Sequence, residues 1–135
     1  MVRITGEYQG GLHCAAIHEP SGNVLSTDAP RDNQGRGEAF SPTDLVATAF
    51  GTCIATTMAI AARKHGVDIA GLKFEVTKEM APDSPRRVFR LNARFWMPAA
   101  ARKVPAGVLE KAASTCPVHQ SLAPSVEKII DFAWE

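Results

Sequence analysis

The run from Ser41 to Gly66, SPTDLVATAFGTCIATTMAIAARKHG, constrains this chain more than any other stretch. It reads as one long helix that is apolar on nearly every side. A helix hydrophobic all round has to be covered, by a protein core or by a membrane. Its ends are well marked. Ser41 suits the N-cap, Pro42 suits the first helical position, and Asp44 can reach back as an acidic variant of the capping box. Phe40 is placed to staple onto the first turn. Arg63, Lys64 and His65 complement the C-terminal dipole, and Gly66 is the stop. Cys53 sits in the middle.

Leu45 to Ala62 is long enough to raise a membrane span. The run carries four threonines and a glycine, however, and every other segment reads as a soluble strand or helix. The expectation is a core helix with no membrane partner. The N-terminal MVRITGEYQGG lacks the apolar segment and small-residue cleavage site of a secretory signal. Three cysteines, an odd number, without an export signal point to a reducing cytoplasm. A disulfide there is transient and chemical rather than a staple. A length of 135 residues fits one domain, 1–135. The net charge is +1 and the basic residues are scattered, so a nucleic-acid partner has no electrostatic footprint.

The segments before the helix look β. Val2 to Tyr8, Leu12 to His18 and Asn23 to Thr27 are strand candidates separated by Gly10-Gly11 and by Glu19-Pro20-Ser21-Gly22, a three-strand meander. Asp28 to Ala39 is polar and Gly-rich and reads as a loop. Such a loop directly before a buried helix is a good place for a functional side chain. After the helix, Gly71 to Glu79 and Arg87 to Met97 alternate in polarity and form a hairpin, with Phe89, Leu91, Ala93, Phe95 and Met97 on one side. Trp96 falls on the polar side and needs a cover. Val104 to Thr115 predicts a second helix. Ser125 to Trp134 predicts a closing strand. The class is α+β.

Cys53 and Cys116 are too far apart in sequence for a local zinc or redox motif, so only the fold could bring them together. Free cysteine commonly just packs, and for Cys14, inside a strand, packing is the expected role. His13, His18, His65 and His119 show no paired ligand spacing. No nucleophile elbow, phosphate loop or dinucleotide fingerprint occurs. No metal or cofactor is expected. Cys116 lies at a junction, because Pro117 cannot continue a helix but can begin one. If it does, Cys116 gains the dipole of that new helix. His119, three residues on, is then either a proton partner or a surface residue.

FSPTDLVATAFGTC, followed later by CPVHQSL, resembles the family of osmotically inducible protein C and the organic hydroperoxide resistance proteins (OsmC/Ohr). In that family a proline opens a long central helix, followed by a leucine, small residues and a cysteine. Here these are Pro42, Leu45, Ala47, Ala49 and Cys53. A later Cys-Pro motif corresponds to Cys116 and Pro117, with Ser121 and Leu122 after it. The resemblance covers almost the whole chain. It implies an OsmC-like fold, with an N-terminal antiparallel meander and a second sheet region around the long helix, in an intertwined homodimer.

It also implies a thiol peroxidase acting on organic hydroperoxides, with Cys53 as the peroxidatic thiol, Cys116 as the resolving thiol and an external dithiol as reductant. A thiolate in mid-helix gains little from the dipole and needs a cation. The family supplies an arginine from its N-terminal region, held by a glutamate just after the helix proline. Here Thr43 occupies the glutamate position. Asp44 is one residue out of register, about 100° around the helix. Arg31 and Arg36 in the preceding loop are the candidates to substitute, and Gly35 and Gly37 favour Arg36. The dipole argument alone favours Cys116 as the activated thiol, the reverse of the family's assignment. A different class stays open beside the peroxidase: a dimeric protein that binds a small apolar ligand and whose cysteines are unreactive.

Overall fold

The computed structural model describes all residues, Met1–Glu135. They form two compact units, Met1–Val46 and Ala47–Glu135.

The first unit is the expected meander. β1 (Ile4–Tyr8), β2 (His13–His18) and β3 (Asn23–Asp28) pair antiparallel in that order. Gly10, Gly11 and Leu12 all take positive φ in the β1–β2 turn, a conformation that costs glycine little and leucine more. In the next hairpin His18 faces Asn23, so the ladder runs back to His13 opposite Asp28. The sheet keeps apolar side chains exposed, with Ile4 at 68% and Val24 at 58%. Cys14 is exposed as well. The expectation that it packs is therefore corrected: three short strands alone do not cover it. After β3 the chain makes a 3₁₀ turn at Arg31–Asn33. Gly35 then presses on Ala29, and a Cβ there would lie 1.7 Å from the Ala29 carbonyl oxygen.

α1 spans Pro42–Arg63. The capping box forms with aspartate in place of glutamate: the Asp44 amide donates to Ser41 Oγ at 3.0 Å, and the Ser41 amide donates to Asp44 Oδ2 at 2.9 Å. Phe40 remains more than half exposed rather than stapled. Although α1 is apolar on most sides, its buried residues are Ala47, Phe50, Gly51, Ile54, Met58 and Ala62, a single stripe at helical spacing. By length and composition alone α1 could also cross a bilayer.

The second unit carries the core. β4 (Lys73–Met80) and β5 (Val88–Met97) form the predicted hairpin, and β6 (Glu127–Trp134) lies parallel to β5. Leu91, Ala93, Phe95 and Met97 of β5 are buried, while Phe89 stays partly exposed. On the opposite face Arg90 bonds Glu79 and Glu127 on either side. Trp96 stays 41% exposed, with the Arg94 guanidinium 5.6 Å from its ring centroid, so the expected cover is not found. Gly51 lets α1 approach β4, since a Cβ there would meet Phe74 and Val76 atoms at 2.7 Å.

A parallel neighbour needs a crossover connection. Between β5 and β6 it consists of a 3₁₀ turn at Ala99–Lys103, α2 (Val108–Ser114) and α3 (Pro117–Ser121). α2 is shorter than the predicted 104–115. Gly107 at its N-cap takes φ 86°, which is left-handed, so the helix starts only at Val108.

Candidate functional site

Two turns of helix meet in the second unit. On α1, Phe50 and Cys53 are three residues apart and share a face. On α3, Cys116 is the N-cap, Pro117 opens the helix and His119 closes its first turn. The rings of Phe50 and His119 lie 5.9 Å apart, centroid to centroid. Beside that ring contact the Cys53 thiol lies near enough to act on the ionisation of Cys116. Each turn therefore contributes one thiol and one ring, and the pairs match in antiparallel sense. Both cysteines are free.

Their surroundings differ. Cys53 is half-buried, whereas Cys116 is 0% exposed. The Cys116 Sγ accepts the His119 amide at 3.2 Å, the capping bond that Pro117 makes possible. Burial pushes the Cys116 thiol up from its ordinary value, and the neighbouring Cys53 adds to this. The His119 and Val118 amides pull the other way and are outweighed. Taking a thiolate out of water is costly, and backbone donors do not cancel that cost here. A helix N-terminus thus does not make Cys116 the activated thiol.

The remaining sequence candidates lie in the first unit. Thr43 Oγ1 sits 3.2 Å from Ser41 Oγ, and Asp44 closes the capping box. Arg31 folds onto its own loop, with Nε donating to the Arg36 carbonyl at 3.2 Å. Arg36 lies over Gly11 and acts electrostatically on Asp28.

Asp28 is the residue that sequence reading missed. It is 3% exposed. Oδ1 accepts from His13 Nδ1 at 2.6 Å, and Oδ2 accepts the Glu38 amide at 3.1 Å. The His13 hydrogen bond lowers its pKa from the ordinary value most. The Glu38 amide and the charges of His13 and Arg36 add to that effect, against the opposing effect of burial. These residues line a polar cleft of about 500 Å³ together with Gln9 and Ser26. Counting back from the turn at Glu19–Gly22 gives the His13–Asp28 pairing, so the signal lay in the hairpin register.

The model of the OsmC-like protein family matches residues 35–130. No curated protein matches the chain. Among solved structures, a Psychrobacter arcticus protein named for osmotic stress induction and detoxification response is 42% identical, with a TM-score of 0.84 over 98% of this chain and 94% of that one. A Legionella pneumophila organic hydroperoxide resistance protein OsmC superposes with a TM-score of 0.74 at 15% identity, over 98% and 96% of the two chains. An organic hydroperoxide resistance protein of Vibrio cholerae, with captopril bound in one of its active sites, gives 0.75 at 14% identity, over 96% and 90%. At such identities the last two report the fold alone. The family match extends from the loop before α1 into β6 and so includes both thiols and the crossover that joins them. This chain belongs to the OsmC-like protein family.

Proposed function

We propose that the protein is a cysteine-dependent peroxidase that reduces organic hydroperoxides. The observation that carries this reading is the pair of neighbouring free thiols, one half-buried and one buried. Fold relatives named for organic hydroperoxide resistance support the substrate class.

In this reading the Cys53 thiolate attacks one oxygen of the hydroperoxide. The S–O bond forms, the O–O bond breaks, and the alkoxide leaves as an alcohol after taking a proton. Cys53 is now a sulfenic acid. The Cys116 sulfur attacks the Cys53 sulfur, the S–O bond breaks, and the hydroxyl leaves as water with the Cys116 proton. An external dithiol reduces the resulting disulfide by exchange. Burial suits Cys116 to this second role, because its thiol stays protonated until a sulfenic acid forms beside it.

We further propose a homodimer working in the cytoplasm, where dithiol reductants are available. The apolar surface left open on β1–β3 supports a partner subunit.

The test is turnover of cumene hydroperoxide with a dithiol. The parent protein consumes peroxide and Cys53→Ser does not. Equal consumption by Cys53→Ser sinks the proposal. Mass spectrometry after one equivalent of peroxide is expected to show a loss of two hydrogens across the Cys53 and Cys116 peptides.

A further inference from the structure

α3 is only five residues long, too short to hold its shape without tertiary contacts. Its polar tethers are local. Gln120 Nε2 donates to the Ser114 carbonyl at 3.0 Å, and Ser121 Oγ donates to the Pro117 carbonyl at 2.7 Å. Both stay within the crossover. The His119 ring reaches further, to the Phe50 ring on α1, with the centroids 5.9 Å apart and the planes tilted by 34°. Phe50 is fully buried and gives that ring a fixed platform. The His119 main chain meanwhile holds the Cys116 sulfur, its amide donating to Sγ at 3.2 Å. One residue therefore links α1 to the buried thiol, through its ring on one side and its amide on the other.

We propose that His119 is the positioning residue for disulfide closure: it seats the first turn of α3 on Phe50 and so holds Cys116 against the α1 turn that carries Cys53. Phenylalanine neither gives nor takes a proton, so the imidazole serves here by packing, at a separation over which aromatic rings attract. Closure needs the Cys116 sulfur aligned behind the S–O bond of a Cys53 sulfenic acid. The S–S bond forms, the S–O bond breaks, and the hydroxyl leaves as water with the Cys116 proton. A misplacement of about 1 Å is enough to slow such a step many-fold. Attack of Cys53 on the peroxide does not need α3 in register. The effect on closure rests on the peroxidase reading above; the seating of Cys116 does not.

Three readouts on the full chain, in a Cys14→Ser background, separate these. Dimedone trapping times the formation of the Cys53 sulfenic acid. The loss of two hydrogens times disulfide closure. Iodoacetamide labelling of the reduced protein, read on the Cys116 peptide, measures how well that thiol is sheltered. His119→Ala is expected to form the sulfenic acid at the parent rate, to close the disulfide about tenfold more slowly, and to label Cys116 several-fold faster. His119→Phe restores the ring without the imidazole and is expected to match the parent in all three. Gln120→Ala is the control, because it removes the tether to Ser114 and leaves the Phe50 contact in place. It is expected to match the parent as well.

Closure at the parent rate in His119→Ala overturns the proposal. So does His119→Phe closing as slowly as His119→Ala, which would make the imidazole a proton partner. Gln120→Ala closing as slowly as His119→Ala overturns it too, because the effect would then be fraying of α3. Undiminished peroxide consumption by Cys53→Ser instead overturns the peroxidase reading. Cys116 labelling then decides the seating alone: faster labelling in His119→Ala upholds it and unchanged labelling refutes it. Thermal unfolding of each variant confirms that the comparison is between folded proteins.

Discussion

The Cys53 thiol lies beside Cys116 although their two helices have no local sequence relationship, and only Cys116 is fully buried. That asymmetry orders their chemistry. Peroxide reaches a half-exposed sulfur before a buried one. Removing Cys116 should therefore spare the first step and block the second. Cys116→Ser is expected to consume one equivalent of peroxide and then stall, with Cys53 trapped by dimedone as a sulfenic acid. Steady turnover with dithiol should fall at least tenfold, which a peroxide-coupled assay measures.

The same burial sets thiol reactivity. A thiol whose pKa is raised holds less thiolate at neutral pH and alkylates slowly. In a Cys14→Ser background, which removes the exposed third cysteine, iodoacetamide at pH 7.5 is expected to label Cys53 well before Cys116. Raising the pH to 9.5 should bring Cys116 labelling up, since the thiolate fraction grows with pH. Adding urea should abolish the difference. Peptide mass spectrometry over time reads all three. Faster labelling of Cys116 in the folded protein would reverse the assigned roles.

Gly51 fixes how closely α1 lies on β4. A Cβ would meet Phe74 Cε2 and Val76 Cγ2 at 2.7 Å, so both side chains or the helix must move. Alanine normally stabilises a helix relative to glycine by about 1 kcal/mol. Overpacking against two side chains costs about 1–3 kcal/mol, so the net change in Gly51→Ala is expected to be a destabilisation. Because Phe50 and Cys53 flank this contact, disulfide formation should slow as well. Urea unfolding and the rate of loss of two hydrogens are the measurements.

Much of this was legible in the sequence because the signals were local. The cap at Ser41 and Asp44, the stop near Gly66, the alternation of β5 and the Cys116–Pro117 break each act within a few residues. What was not legible depended on partners distant along the chain. That β6 runs parallel to β5, and so requires the crossover that carries Cys116, follows from no single segment. The roles proposed for the two thiols rest on burial against backbone donors, and burial is a property of the assembled core. The late start of α2 turned on the left-handed φ of Gly107, where helix periodicity alone reads straight through. Asp28 was read as the first loop residue because its partners, His13 and Glu38, come from another strand and from the far end of the loop.

Asp28 also makes a pH prediction whose sign is determined. Its folded pKa is lowered from the ordinary carboxylate value, chiefly by the His13 hydrogen bond. A depressed carboxylate pKa contributes stability that is fully present above the unfolded value of about 3.9 and is lost as pH falls through the lower folded value. The parent should therefore lose urea resistance as pH falls below about 4 more steeply than Asp28→Asn, and the two curves should converge at the acid end. The His13, Arg36 and Glu38 groups around the carboxylate are common to both proteins, so the difference isolates Asp28. The local consequence is specific: the Glu38 amide, held by Asp28 Oδ2, should lose hydrogen-exchange protection in the same pH range, ahead of the amides of β4–β6. Loss of that protection only together with the amides of β4–β6 would mean that Asp28 does not hold the loop.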